Sequence, residues 1–535
     1  MKRCTVVGSG PSGVQFARAA LARGYAVEMI DVGYAAPPAV LPEATFEDLR
    51  ADLEDPGEYF LGTDFEGVLL PGRQEEFYGI PPGKDYALRQ VPWLKNGTRG
   101  FEPKFSFAQG GLAELWTGGC YPFNDAELSA YPFDYAGLAP YYAEVAANIG
   151  INGAADDLAD FLPVHDGLQS PLRLDEHSTR LLNRYSSRRD YFRNRLGCHL
   201  GRARQAVLSS DLGGRRACSY SGRCIWGCPG GAIYVPSQTL DECMRSPDFT
   251  YHSGYCVTHF SYDDDGRITA VTASGADDGE VREFPVDTLV LACGTLGTSR
   301  IYLESVYRQT GETRVLPGLM DNRQLLVPFV NPGMIGRKYQ ADSYQYNQLA
   351  MGLETDLPAE YVHCLITTLK TATVHPVMDQ FPLDLRTAVH MFRNMHAALG
   401  VINVNFHDTR RDDCTVSLEA GDDPSHSRLL MDYVPPGDEG RRIRAVMTRL
   451  KKVLRKLGCL VPPGMAHVRP MGASVHYAGT LPMSVTPRPM TVTPDCRSHD
   501  FHNLYIADGA TFPFLPAKNI TFTLMANACR VAASM

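Results

Sequence analysis

The strongest constraint on how this chain can fold lies within its first 31 residues. The apolar run Thr5-Val6-Val7 passes directly into Gly8-Ser9-Gly10-Pro11-Ser12-Gly13. A strand that feeds a GxGxxG turn opens a βαβ unit of the dinucleotide-binding kind. Gly8 permits the tight turn, Gly10 lets the backbone approach a pyrophosphate, and Gly13 lets helix pack closely on strand. A helix beginning near Ser12 directs its free N–H groups at the phosphates, where its macrodipole favours negative charge. Its body, residues 14–23, offers Val14, Phe16, Ala17, Ala20 and Leu21 as an inner face, and Gly24 stops it. Residues 25–30 read as the second strand, ending in Asp31. A carboxylate there accepts hydrogen bonds from a ribose, with Glu28 as the alternative.

Composition sets the remaining bounds. A chain of 535 residues holds two or three domains. With 44% hydrophobic and 21% charged residues it reads as an ordinary globular protein. A net charge of -9 argues against nucleic acid as a partner. No run of 18 or more apolar residues suggests a membrane span. The first strand begins by about the fourth residue and leaves no room for a signal peptide, so a cytoplasmic location is expected. The 14 cysteines are then mostly thiols.

Residues 34–100, rich in Pro, Gly and Asp, read as long surface loops. Residues 250–286 alternate around Asp263-Asp264-Asp265-Gly266, a hairpin signal. Residues 288–292 form a buried strand, residues 293–298 a small-residue turn, and a helix is expected from Ser299. From about 320 to 470 the character changes, with strands at 326–330 and 400–406 and an amphipathic helix at 439–457. That stretch reads as a second domain inserted before the chain returns to the first.

Near the C-terminus stand Val475-His476-Tyr477-Ala478-Gly479-Thr480, then Tyr505-Ile506-Ala507-Asp508-Gly509-Ala510, then Pro516-Ala517-Lys518-Asn519-Ile520-Thr521. Together with Gly8 to Gly13, Gly110-Gly111-Leu112-Ala113-Glu114-Leu115-Trp116-Thr117-Gly118-Gly119 and Ala292-Cys293-Gly294-Thr295-Leu296-Gly297-Thr298, they resemble the glucose–methanol–choline (GMC) oxidoreductases. The resemblance covers both ends of the chain well and the middle poorly. It implies a fold of mixed α/β and α+β type. A Rossmann-like FAD-binding domain is built from residues 1–33, 100–135, 200–312 and 476–535. An inserted substrate domain, with a mainly antiparallel sheet flanked by helices, and surface loops take 34–99, 136–199 and 313–475.

The same resemblance implies cofactor contacts at Gly8, Gly10, Ser12, Gly13, Asp31, Gly111, Trp116, Thr117, Gly118, Val257, Gly294, Asp508, Gly509, Ile520 and Thr521. Some relatives, the pyranose oxidases, attach flavin to a histidine beside the corresponding tryptophan. Leu115 stands there, so FAD is expected to be non-covalent. By the resemblance His476 is the base that takes the substrate hydroxyl proton, and Asn519 holds the substrate oxygen. A neutral histidine suits the proton step, and an amide can orient an alkoxide but cannot titrate. His467 is the competing candidate.

Cys218, Cys224 and Cys228, spaced C-x5-C-x3-C with Pro229 following, suit thiolate ligation of an iron–sulfur cluster. A three-iron centre needs only these, and an ordinary four-iron one also needs Cys198 or Cys243. Zinc usually takes four ligands in structural sites. The simpler expectation is a thiol-rich packing segment without metal.

The activity these features imply is FAD-dependent oxidation of CH–OH to C=O on a polar small molecule such as a sugar, glycoside or aminocyclitol. The electrons pass to O2 or another acceptor. The alternatives are an iron–sulfur dehydrogenase subunit serving a partner, and an FAD-containing lyase without net redox.

Overall fold

The computed structural model describes residues 2–37, 43–65, 80–369 and 383–535. The first strand, Arg3–Val7, runs into the helix Pro11–Ala22, and the second strand, Ala26–Ile30, returns beside the first in parallel. Three more strands, Leu289–Leu291, Leu504–Ile506 and Phe249–His252, complete a five-stranded parallel sheet. From one edge the order is 504–506, 289–291, 3–7, 26–30, 249–252. The order reverses between the first strand and Leu289–Leu291, which is the switch point where such sheets bind ligands. The sheet is buried on both faces, which is why Val6, Leu289, Val290 and Leu291 are all fully covered. The C-terminal helix Thr521–Ser534 packs beside the first helix and closes this core with Phe522, Met525, Ala528 and Val531.

Two glycines make the first turn possible. Gly8 takes φ +97°, and a Cβ there would meet the Ala292 carbonyl oxygen at 2.8 Å. A Cβ on Gly13 would stand 2.0 Å from the Gly8 carbonyl oxygen, so helix and strand could not approach as they do.

The hairpin centred on residues 263–266 is present as Tyr255–Tyr262 paired antiparallel with Ile268–Gly275. Two local expectations are corrected. The helix after the 289–291 strand spans Gly294–Thr310, so the small-residue turn is its opening turn rather than a separate loop. Thr295 and Thr298 are tied there by side-chain bonds to the Tyr477 carbonyl and to Asp508, contacts absent from local propensity. Within residues 34–100, the helices Phe46–Asp52 and Pro56–Leu61 form under capping bonds from Thr45 and Asp55. Residues 38–42 and 66–79 of that stretch lie outside the described residues.

The second large sheet is six-stranded and antiparallel throughout: His467–Val468, Gln324–Val330, Leu399–Asn405, Val362–Thr368, Leu349–Leu353 and Cys198–Arg202, in that order. One of its faces carries Val327, Ile402, Cys364 and Met351 against the helices Glu176–Ser186, Arg189–Leu196 and Glu439–Lys456. Leu450, Val453 and Leu454, at i, i+3 and i+4, form the buried stripe of the last helix. Each such side chain contributes about 1.5–3 kcal/mol by leaving water. No helix among the described residues is long and apolar enough to cross a membrane.

Candidate active site

His476 sits between Asn322, just ahead of the Gln324–Val330 strand, and Asn519, just ahead of the C-terminal helix. The loop before it is pulled into shape by Asp321, a fully buried carboxylate just ahead of the Gln324–Val330 strand. One oxygen accepts from the Gly472 N–H at 2.6 Å, and the other from the Ser474 hydroxyl and the His476 N–H, the latter at 3.3 Å. Between them Val475 is held at φ +57°, a conformation costing a β-branched residue about 1–3 kcal/mol. The three bonds to one carboxylate keep that strain in place. Burial, with the nearby Asp408 charge adding to it, pushes the Asp321 carboxyl up to about 6.

The imidazole of His476 is bracketed by two amides. Nδ1 lies 2.9 Å from Asn322 Oδ1, and Nε2 lies 3.3 Å from Asn519 Nδ2. The Asn322 amide has one sensible orientation, because its Nδ2 donates to the Phe406 and Pro516 carbonyls at 2.8 and 2.9 Å. Its oxygen must therefore face His476, and Nδ1 must carry the proton that it accepts. Nε2 is left with its lone pair, receiving the weak Asn519 donor. Burial, and secondarily the Arg469 guanidinium, pushes the imidazole down to about 4. It is a neutral base across the ordinary pH range, with one nitrogen assigned to accept.

Asn519 is fixed from behind by Lys518, which is completely buried. The Lys518 ammonium donates to Glu127 at 2.5 Å and to the Pro122 and Phe161 carbonyls at 2.7 and 2.8 Å. Burial nonetheless pulls the ammonium down to about 8, while Glu127 is raised by its own burial. Gly119 passes so near that a Cβ would stand 3.1 Å from Asn519 Oδ1 and 3.1 Å from the Tyr121 ring.

The glycine turns named from sequence converge at the switch point of the parallel sheet. Ser9 Oγ donates to the Asp31 carboxylate and accepts from the Gly110 N–H, and a Cβ on Gly111 would touch Gly10 at 3.4 Å. Around a Cβ placed on Gly10 or on Gly294 there is open space, so the backbone at both turns is accessible to a ligand. The first helix has no side-chain cap, and Ser12 lies in its opening turn. Asp508 accepts from Thr298 Oγ1 at 2.5 Å and from the Ala510 N–H at 3.0 Å, and burial lifts it to about 6. Gly509 lies against the Tyr477 carbonyl and Thr295. Ile520 and Thr521 open the C-terminal helix, again without a side-chain cap.

Other named residues stand further out. Asp31 is half-buried, its carboxylate accepting from the Ser9 and Tyr251 hydroxyls, the latter at 3.2 Å, and desolvation raises it to about 6. Glu28, the alternative, is paired with His252 at 2.8 Å. Trp116 donates to the Tyr234 carbonyl at 2.7 Å, the Thr117 carbonyl accepts from Tyr344, and the Gly118 carbonyl accepts from the Ala206 N–H. Val257 is buried in the hairpin, two residues after Tyr255, whose N–H donates to the Asp31 carbonyl. His467 is exposed on the short edge strand His467–Val468.

The cysteines are distributed unevenly. Cys218, Cys224 and Cys228 share one apolar cluster, whereas Cys198 and Cys243 are buried in two different cores, so neither candidate fourth ligand joins the triplet. Among the described residues, no three His, Cys, Asp or Glu side chains gather as a metal-binding group.

Asp321, Asn322, Lys518 and Glu127 escaped the reading of the sequence. Asn322 precedes His476 by 154 residues, and nothing in the linear spacing links them.

A family model described as GMC oxidoreductase matches residues 368–528. A paromamine 6'-oxidase from Streptomyces fradiae is 23% identical, over 98% of this chain and 90% of that protein. A 6'''-hydroxyparomomycin C oxidase from Streptomyces lividus is 22% identical, over 75% of this chain and 71% of that protein. The fold is similar to that of pyridoxine 4-oxidase from Mesorbium loti, with TM-score 0.61 and 15% identity over 100% of this chain and 98% of that one. It is equally similar to a formate oxidase, with TM-score 0.61 and 14% identity over 99% of this chain and 98% of that one. Four glycine-bearing segments thus converge in one place, and the C-terminal part of the chain, residues 368–528, is similar to the GMC oxidoreductases.

Proposed function

We propose that this protein oxidises an alcohol carbon of a sugar-like small molecule, with His476 Nε2 as the base and non-covalent FAD as the hydride acceptor. The observation that carries the reading is the bracketed imidazole: Asn322 fixes the proton on Nδ1, which leaves Nε2 as the accepting nitrogen, held only by the long 3.3 Å bond from Asn519. The substrate class follows the two similar oxidases, whose names place paromamine and a hydroxyparomomycin among their substrates.

The residues present fit FAD. The open space at Gly10 and Gly294 leaves room for a pyrophosphate, the uncapped first helix offers N–H donors, and Asp31, just after the second strand, is the carboxylate that would accept from a ribose. Leu115 supplies no side chain able to form a bond to flavin. When bound, FAD supplies the two-electron sink that takes hydride from the carbinol carbon. The chain supplies position and proton handling. Asn519 donates its amide hydrogen to the substrate oxygen and orients the hydroxyl toward Nε2. Nε2 takes the hydroxyl proton as the carbon–hydrogen bond breaks, and the developing imidazolium is held at Nδ1 by Asn322. The burial that lowers the imidazole also excludes water from the reacting pair. The acceptor that would reoxidise the bound cofactor is proposed to be O2 or another small oxidant.

Anaerobic mixing of the purified yellow protein with a panel of alcohols tests this. Bleaching of the flavin by a sugar-like alcohol supports it. A lyase would turn over its substrate without bleaching, and that result would replace the reading.

A further inference from the structure

The six-stranded sheet has two unlike faces. The face opposite the apolar core carries, on its three central strands, Gln324, Asn403, Asn405, His363 and Thr367, with Arg469 beside them. Amides are disfavoured in strands, and buried ones need partners. Here the bonds run as a chain: Arg469 donates to Gln324 at 2.6 Å, Gln324 to Asn405 at 2.7 Å, and Asn405 to the His363 and Asn403 carbonyls at 3.3 Å. The chain stops short of two atoms. Asn403 Oδ1 and His363 Nε2 are buried with no hydrogen-bond partner among the described residues. The His363 side chain is fully buried, and burial pushes it down to about 3, so it stays neutral. The Tyr121 ring lies edge-on to it at 4.5 Å, and the Tyr121 hydroxyl is likewise unpartnered.

This wall is continuous with the His476–Asn519 pair. Asn322, which holds His476, lies two residues before Gln324, and Tyr121 adjoins Asn519 across Gly119. The central strands present no carboxylate on this face. Two buried carboxylates stand close to the His476–Asn519 pair: Asp321 has both oxygens engaged by Gly472, Ser474 and His476, and Glu127 is engaged by the Lys518 ammonium. Among the described residues, the central strands give an ammonium group no carboxylate on this face, and the Arg469 guanidinium lies beside it.

We infer that this amide-rich face is a hydroxyl-recognition wall, and that the ring bearing the oxidised carbinol is an uncharged polyol at the positions next to it. The inference rests on the proposed alcohol oxidation and narrows its substrate. Ring hydroxyls bond to Asn403 Oδ1 and His363 Nε2, which otherwise go unpaired. A site built to bond a hydroxyl rejects an analogue lacking it, because its own buried groups are then left unsatisfied.

The test uses the FAD-loaded enzyme, anaerobic flavin reduction, and three probes: methyl α-D-glucopyranoside, its 4-deoxy analogue and its 4-amino-4-deoxy analogue. The wild type is expected to reduce flavin with the parent at least tenfold more efficiently than with either analogue. Asn403→Leu should shrink the deoxy penalty to below threefold. Asn403→Asp, which keeps shape and adds a charge, should improve the amino analogue at least tenfold relative to the parent. Unchanged ratios in both variants, or a wild type that prefers the ammonium analogue, would overturn the inference. Flavin bleached only by alcohols that are not polyols overturns it while leaving alcohol oxidation intact. Flavin bleached by no alcohol overturns both.

Discussion

Replacing Asn322 separates the tautomer argument from mere packing. The side chain makes three bonds: it accepts from His476 Nδ1 and donates to the Phe406 and Pro516 carbonyls. Asn322→Leu removes all three. The lost neutral bond to His476 is worth about 0.5–1.5 kcal/mol, which alone biases the imidazole tautomer by roughly 2–13-fold. Ring misplacement adds to this, so flavin reduction should slow by roughly 10–100-fold with KM little changed. The two abandoned carbonyls cost about 1–3 kcal/mol each in stability. Asn322→Asp gives the opposite signature in pH. A carboxylate at Nδ1 favours the imidazolium and raises the His476 pKa by about 1–3 units, from about 4 toward 5–7. A protonated imidazole cannot accept, so the rate falls as pH drops through that value. The acid limb of single-turnover flavin reduction should therefore move from near pH 4 in wild type to between about 5 and 7 in the variant. Stopped-flow reduction over pH 4–9, with circular dichroism melts as the stability control, checks both. An Asn322→Leu rate within twofold of wild type, or an unmoved limb in Asn322→Asp, refutes the assignment.

Asn519→Ala should slow flavin reduction less than loss of the base does, and Asn519→Asp more than Asn519→Ala, because a carboxylate repels the forming alkoxide; stopped-flow rates give the order. Gly10→Val places a side chain in the open space over the turn and should abolish FAD retention, read from the absorbance ratio of flavin to protein after gel filtration. Iron analysis of anaerobically purified protein should return less than about one iron per chain, and three or four per chain would assign Cys218, Cys224 and Cys228 to a cluster.

The parts of this molecule governed by local rules were legible in its sequence. The strand, glycine turn, helix and second strand of residues 3–30 stand where turn chemistry and periodicity put them. The helix Glu439–Lys456 and the hairpin at 255–275 do as well. The helix at Gly294–Thr310 was read five residues short because Gly294 and Gly297 look like loop residues. Its first turn is stabilised by partners some 180 and 210 residues away. The site divides the same way. His476 and Asn519 were visible as members of short motifs, but Asp321 and Asn322 act only through pairings 151–155 residues long. Lys518 adjoins Asn519 in sequence, yet its role depends on Glu127, 391 residues earlier. Nothing in one sequence ties such groups together before the chain has folded.

The central claim is that His476 takes the hydroxyl proton. The most direct measurement is single-turnover flavin reduction by an identified alcohol substrate in wild type, His476→Ala and His467→Ala. His476→Ala should keep its FAD and slow by roughly 10²–10⁴-fold. His467→Ala, altered only at an exposed edge strand, should run at the wild-type rate. Reduction by His476→Ala within threefold of wild type would contradict the account.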